Sequence, residues 1–524
     1  MARSQVSCDS NRGKRLLCGV AYEMEHKIAA LRSQLADLGQ EHVLAGLSSG
    51  DSSQRQSLVD QVSSIDLPLF RRALADVVRT LKGNKNRLDK QPIPPKPFPQ
   101  AKWEGLHEWI SSSGDTSNEK DDTARWWSEG LRLVADGEVA VLVLAGGQGT
   151  RLGPGAPVAK GMLELSVPEP KSLFQLQAER LLLVEELAAF VTDDTIKRRI
   201  PWLVMTSDAT DLATRTFFEE KNFFGLEKSQ VWFLKQSSLP CVDLDEGHAM
   251  LMEAPWKVAM APAGNGALFS DLRTAGFIKK LSSQGVKYVQ VYAVDNALVR
   301  VADPVFYGFI HRRQAEVGVK VVSKIHAKES VGVVCLHQEG ASNLKCERYG
   351  VLEYSEMPES LTTAKDNSGQ LQFRAAHICI NMFSVHYLEK LTDLDSQLEF
   401  HPAVKRIPHM RKTSGIWETV NPARPNGIKL EQFIFDSFQS CDSEKVALLE
   451  VSREEEFAPI KNAVGPGIAD TVATATELLL ALKQRVSALT PEIGAVSKGF
   501  ALLKAYAGGA TESATSDLVN LSIE

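Results

Sequence analysis

The residues with the most evident chemistry stand in one stretch, Leu144-Ala-Gly-Gly-Gln-Gly-Thr-Arg-Leu-Gly153, which follows the apolar run Val139-Ala-Val-Leu-Val143. Gly146, Gly147 and Gly149 let the main chain approach a ligand and adopt positive φ. Successive backbone N–H groups in such a loop form a concave anion site. Arg151 adds a permanent cation suited to bidentate phosphate contact, and a Lys160-Gly161 pair follows. No Lys-Ser or Lys-Thr directly follows Gly153, so this is not a P-loop. Gly147, Gly149 and Gly153 are also spaced one residue too widely for the dinucleotide fingerprint. The expected chemistry is the binding of a phosphate-bearing small molecule.

The elements that must position this loop are legible around it. Strand-like runs lie at Val139–Leu144, Trp202–Met205, Val231–Leu234 and Tyr288–Val294, with helical stretches near 171–190, 209–221 and 267–284 between them. Alternating strands and helices imply an α/β fold with a mostly parallel sheet covered on both faces. Four polar motifs fall just past the ends of these strands: the glycine loop, Thr206-Ser207, Gln236 and Asp295-Asn296. Open α/β sheets bind ligands at that edge, so the four motifs are expected to form one site. Further along, Val319–Ser323 is another strand-like run, Val331–Leu336 and Val351–Tyr354 suggest an antiparallel addition, and a last helix is expected to start near Asp470 as its N-cap.

Ahead of the central region, residues 22–38 carry an amphipathic helical pattern stopped by Gly39, and residues 56–82 a second one broken at Pro68. Pro92, Pro94, Pro95, Pro97 and Pro99 mark a stiff, extended connector, and Ser111 to Asp122 a polar loop. Trp126, Trp127, Leu131 and Val134 outline a short helix feeding the first strand, and the tail from Gly508 onward is small and polar. At 524 residues two or three domains are expected. The boundaries are drawn as 1–124, 125–430 and 431–524.

A net charge of −6 makes no electrostatic case for nucleic acid. No apolar run reaches the roughly 18 residues that cross a bilayer, so no membrane partner is expected. Seven cysteines without a C-x-x-C pair argue against a disulfide framework and against zinc, and fit reduced thiols in a cytoplasmic protein.

Taken together, the ordered motifs resemble those of the eukaryotic UDP-N-acetylhexosamine pyrophosphorylases. In this chain they stand as LAGGQGTRLG, KGM at Lys160, KSLFQLQAER from Lys171, AGNGAL from Ala263 and VYAVDNALVRVADP from Val291. VGVV at Val331, LEYSE from Leu352, RPNGIKLEQFIFD from Arg424 and EVSREEEFAPIKNA from Glu450 complete the series. Gln40-Glu41-His42, after the first helix, resembles the N-terminal helical region of the same family. The resemblance implies a Rossmann-like (GT-A-like) nucleotidyltransferase domain with a mixed, mostly parallel sheet, an N-terminal helical region and a small C-terminal domain.

It also implies a reaction of UTP with N-acetylglucosamine 1-phosphate, giving pyrophosphate and UDP-N-acetylglucosamine, with the galactosamine epimer as a further product. Magnesium or manganese is implied as cofactor. Arg151, Lys160, Lys429 and Lys461 match the cations that approach the phosphates. Gly146, Gly147, Gln236 and Gly264 match the uridine contacts, Asn265 and Asp295 the sugar, ribose or metal, and Gly332 and Glu353 the hexosamine. Three places depart from the family pattern: a longer, proline-bearing approach to Lys160, Ala263 in place of an Asp, and His377 where the family has a sugar-holding Asn. An imidazole is larger and can carry charge near neutral pH. Three outcomes stay open: the family reaction, the same reaction on another hexose 1-phosphate, or a UDP-sugar-binding chain without turnover.

Overall fold

The apolar runs pair into one mixed sheet in a computed structural model that describes residues 24–83, 92–99, 122–192, 198–245, 247–339, 346–354, 356–394 and 398–488, with residues 505, 506 and 508. Its principal strands are Val139–Leu144 (β1), Trp202–Thr206 (β2), Val231–Lys235 (β3), Tyr288–Ala293 (β4) and Val317–Ser323 (β5). They are joined by Val333–Glu339 (β6), Cys346–Leu352 (β7), Ala375–Ser384 (β8) and Val446–Glu450 (β9). The order across the sheet is β9-β5-β8-β4-β1-β2-β3, with β6 pairing to β8 and β7 to β6. β4, β1, β2 and β3 run parallel, as do β5 and β9, whereas β8 is antiparallel to both β4 and β5. β6 and β7 form the antiparallel addition expected from the sequence.

The register brings the polar motifs level. Leu144 of β1 lies opposite Ala293 of β4 and Met205 of β2, and Thr206 of β2 lies opposite Lys235 of β3. Four strands therefore end on one line, and the glycine loop, Asp295, Ser207 and Gln236 leave the sheet together. Val139 to Val143 are buried without alternation, as a strand covered on both faces requires. Helix Asp122–Ala135 packs on helix Pro304–Arg312, with Trp126 edge-on to Phe309 at 4.9 Å. The proline connector joins the same sheet: Pro92–Ile93 pairs with β6 and Phe98–Pro99 with β9, at short margins where a missing N–H is tolerated.

Two helix boundaries differ from expectation. The stretch near 267–284 is two helices, Leu268–Thr274 and Phe277–Ser283, separated by Gly276 at φ +72°. The last helix, Val472–Ser487, is capped by Thr471, whose side chain accepts from Thr474 N. Asp470 is instead left-handed and gives its carbonyl to the N–H groups of Lys461 and Asn462. The expected tail from Gly508 onward lies outside the described residues except for Gly508, as does the Ser111–Asp122 loop except for Asp122.

By contacts the chain divides into two compact units, 1–86 with 237–267 and 399–433, and 87–236 with 268–398 and 434–524. These units are discontinuous in sequence, whereas the expected boundaries at 124/125 and 430/431 assumed contiguous domains. The large sheet belongs to the second unit. In the first, the helix over residues 24–36 and helices Ser52–Ser64 and Leu67–Leu81 pack their apolar sides on short strands from 238–262 and 401–431. Asp51 and Asp66 cap the two named helices, and Pro68 sits in the first turn of the second, where its missing N–H costs nothing. Gln40 and His42 bond the backbone of Met250 on either side, and Gln61 does the same for Val258. The N-terminal helices are thus fastened to these inserted strands through polar groups as well as apolar ones.

Candidate active site

The glycine loop leaves β1 and is closed by its neighbours. Ser207 Oγ donates to the Gly146 carbonyl at 2.8 Å, and Gln236 N donates to Thr206 O at 2.9 Å. A methyl group at Gly146 would stand 2.2 Å from Gln236 Nε2, so only glycine lets the amide of Gln236 lie on the loop. Gly149 takes φ +65° and turns the chain into the short helical turn that carries Arg151. The Arg151 side chain is exposed. Its carbonyl accepts from Ala463 N at 3.1 Å, which ties the loop to the segment after β9.

Lys160 reaches the same place despite the longer approach. Its Nζ stands 2.7 Å from Asp295 Oδ2 and 3.3 Å from the Ile460 carbonyl. Both members of this pair are largely withdrawn from solvent, at 15% and 19% exposure, so the attraction is little screened. Ile460 N in turn donates to Asp295 O at 2.9 Å. Lys461 follows Ile460 directly, and its N–H donates to Asp470 O at 2.7 Å. Burial pushes the Cys379 thiol up to about 12, with the Asp295 charge adding and the Lys461 charge opposing.

Asp295 is held from several sides by residues whose part the sequence did not reveal. From helix Leu173–Thr192, Gln177 donates to the Val294 carbonyl, and Arg180 to the carbonyls of Ala297 and Val299. Asn296 donates through Nδ2 to Glu456 O at 2.7 Å and accepts from Ala458 N at 2.9 Å. Beneath it lies a buried charge cluster. Arg300 pairs with Glu455 at 2.8 Å and with Glu456 at 3.2 Å, while Lys320 pairs with Asp303 and Glu456. The signal was present in the motifs KSLFQLQAER and EVSREEEFAPIKNA. Their chemistry was hidden because a run of three glutamates ordinarily reads as a solvated face.

The other end of the edge holds Gly332, Glu353 and His377. His377 N donates to Gly332 O at 2.9 Å. A methyl group at Gly332 would lie 3.0 Å from Glu353 Oε1 and 2.8 Å from Val351 Cγ1, so these residues form one cluster. The His377 ring is edge-on to Phe435 and Phe438, and its Nε2 lies 3.0 Å from Asn381 Oδ1. Burial lowers the imidazole to about 4, only partly offset by the Asn381 bond. The charge expected of His377 near neutral pH is therefore absent; the ring is neutral there.

Gly264, Asn265 and Lys429 belong to the other compact unit. There Gln432 N donates to Ala263 O at 2.8 Å and Gly266 N to Gln432 O at 2.9 Å, so the AGNGAL and KLEQF motifs meet through their backbones. Lys429, on strand Gly427–Glu431, lies beside Cys241 and Glu431. Burial raises both of those groups, and Lys429 opposes the rise.

Among the described residues no three His, Cys, Asp or Glu side chains gather as a metal site. Beside the glycine loop Asp295 offers a carboxylate, with Oδ2 on Lys160 and no protein hydrogen bond to Oδ1 among the described residues. That suits a magnesium ion held mainly by substrate phosphates, which needs only one or two protein carboxylates.

A sheet ending in a glycine-rich loop, with the Lys160–Asp295 pair and the Ile460-Lys461 segment bonded together beside it, is that of an α/β nucleotidyltransferase. The profile of the family described as UTP–glucose-1-phosphate uridylyltransferase matches residues 116–489, and the chain belongs to that family. It is 44% identical over 360 residues to the probable UDP-N-acetylglucosamine pyrophosphorylase of Dictyostelium discoideum, covering 68% of this chain and 71% of that one. It is 37% identical over 463 residues to UDP-N-acetylglucosamine diphosphorylase 1 of Arabidopsis thaliana, covering 87% and 83%. The crystal structure of the uridine diphosphate N-acetylglucosamine pyrophosphorylase of Trypanosoma brucei superposes with a TM-score of 0.72 at 31% identity, covering 88% and 86%. Among the described residues no helix is long and apolar enough to cross a membrane.

Proposed function

We propose that the protein is a uridylyltransferase that makes UDP-N-acetylglucosamine and pyrophosphate from UTP and N-acetylglucosamine 1-phosphate, with the galactosamine epimer as a second substrate. The observation that carries this reading is the meeting of Lys160, Asp295 and the Lys461 segment beside the glycine loop. An oxygen of the sugar phosphate attacks the α-phosphorus of UTP, and the bond from that phosphorus to the bridging oxygen breaks in line as pyrophosphate leaves. The nucleophile is the substrate's own phosphate, so the protein supplies position and charge.

The N–H groups of Gly146 and Gly147 and the guanidinium of Arg151 bind the triphosphate, and Lys160 and Lys461 offset the charge that builds on the leaving pyrophosphate. Gln236 offers the donor and acceptor that the uracil imide edge requires. Gly332, Glu353 and His377 hold the hexosamine. Asp295 would hold magnesium or manganese, which when bound neutralises phosphate charge. Gly264, Asn265 and Lys429 keep the substrate roles suggested by their motifs. The unbridged thiols of Cys241, Cys335, Cys379 and Cys441 support a cytoplasmic location.

The same reaction on a different hexose 1-phosphate is the second reading, favoured by His377 standing where the family has Asn. Pyrophosphate release from purified protein with UTP and magnesium separates the two. Release at least tenfold faster with N-acetylglucosamine 1-phosphate than with glucose 1-phosphate is expected. The opposite preference would establish the second reading, and no release with either sugar, in protein that binds UDP-N-acetylglucosamine, would sink both.

A further inference from the structure

His377 and Asn381 are four residues apart on one strand, yet their side chains are hydrogen-bonded at 3.0 Å. In a regular strand such residues stand roughly 13 Å apart, at about 3.3 Å per residue, and cannot meet. The register explains how they do. Lys320 of β5 lies opposite Ile380 of β8, but its neighbour Val321 lies opposite His377, so Ile378 and Cys379 have no counterpart. Cys379 takes φ +55°, a left-handed conformation that costs a non-glycine residue about 1 kcal/mol. The resulting bulge shortens the path between His377 and Asn381 while the strand keeps its direction along β5. Bulges recur beside active sites, where they re-aim a side chain.

Asn381 is an unusual residue for its place. It is fully buried at the middle of the sheet, between Val291 of β4 and Val319 of β5, and its Nδ2 has no partner among the described residues. Leaving a buried donor unpaired costs about 1–3 kcal/mol. Its side chain does make one bond, to His377. Because Asn381 Oδ1 accepts from Nε2–H, the neutral imidazole carries its lone pair on Nδ1, which has no protein partner among the described residues. An amide at position 377 would present both a donor and an acceptor; this ring presents an acceptor alone.

We propose that Asn381 is a positioning residue for sugar selectivity: it locks His377 in the Nε2–H tautomer, so that the subsite of Gly332, Glu353 and His377 takes a hexose 1-phosphate that offers an N–H or O–H donor to Nδ1. This inference rests on the uridylyltransferase reading. Its test begins with the wild-type protein labelled with nitrogen-15 in its histidine rings, the His377 signals being assigned with His377→Asn. A single Nε2–H tautomer at pH 7.5 is expected; an Nδ1–H tautomer in an active enzyme would overturn this inference alone.

Kinetics supply the second readout. Asn381→Leu should raise KM for N-acetylglucosamine 1-phosphate at least fivefold, with KM for UTP and kcat within twofold of wild type, and should mix the tautomers. Asn381→Asp, which keeps the accepting oxygen, should restore both. An unchanged KM for the sugar, or a parallel rise in KM for UTP, would show that Asn381 serves packing only. Absence of wild-type turnover with every hexose 1-phosphate would overturn the uridylyltransferase reading, and the selectivity role with it.

Discussion

At the proposed phosphate end of the sheet edge, charged groups are held by other charged groups; at the proposed sugar end, beside the Glu353 carboxylate, the neutral His377 ring is held by a neutral amide and two aromatic edges. Lys160 sits on Asp295, and the loops carrying Asp295 and Lys461 are joined beneath by Arg300, Lys320, Glu455 and Glu456. His377 is bonded to Asn381 and flanked by Phe435 and Phe438. The difference fits the chemistry proposed for each end. Charge that builds during phosphoryl transfer needs pre-oriented countercharge. Telling one sugar from another needs hydrogen-bonding groups of fixed polarity, where an unmatched partner is penalised.

The largest effect expected is at the phosphate end. Arg151 has an exposed side chain, so Arg151→Ala should leave the melting temperature unchanged while kcat/KM falls by about a thousandfold, the scale of losing one charge-stabilising group. Unchanged kcat/KM would remove the countercharge role from this end. Next is the buried cluster. Glu456→Leu strips a carboxylate from both Lys320 and Arg300, and breaking a buried ion pair on one side costs about 3 kcal/mol. Urea unfolding should show that loss, with a fall in kcat as the Asp295 and Lys461 loops loosen. An unaltered urea midpoint would mean that the cluster does not carry these loops.

The two ends were not equally legible in the sequence. The phosphate end was, because a buried strand followed by glycines and a cation is a local pattern, and strand ends in a βαβα order must meet at one edge. The proposed sugar end was legible at Gly332 and Glu353 only through the family resemblance, and at His377 only as a departure from it. Nothing in Ala375-Ala-His-Ile-Cys-Ile-Asn381 announces a bulge: Cys379 takes the left-handed conformation without being Gly or Asn, and Asn381 falls inside an apolar run. The burial of Glu455 and Glu456 was likewise invisible, since their partners lie about 150 residues away at Arg300 and Lys320. Domain boundaries were hidden for a similar reason: strands at 238–262 and 401–431 fold with the N-terminal helices through contacts that no local pattern encodes.

A smaller effect tests the link between loop and base. Gly146→Ala would push Gln236 from its place, since the added carbon would stand 2.2 Å from Nε2. KM for UTP should rise about tenfold, equivalent to roughly 1.4 kcal/mol, with discrimination against CTP reduced. Unchanged discrimination would separate Gln236 from uracil recognition and leave the loop a phosphate site only.

The smallest effect probes the neutral character of the His377 ring. An ordinary imidazole titrates at about 6.5, and burial lowers His377 to about 4. Between those values the unfolded chain binds a proton that the folded chain refuses, so the stability due to this residue rises with pH. It is fully present above about pH 6.5 and is lost as pH falls toward about 4. Comparison of wild type with His377→Asn by urea unfolding should show the wild type losing on the order of 1 kcal/mol relative to the variant between about pH 7.5 and about pH 5.5. An equal difference at both pH values would mean that the ring accepts its proton in the folded protein. His377 would then be a titrating cation, and the contrast between the Lys160–Asp295 ion pair and a neutral ring would fail where it is now drawn most sharply.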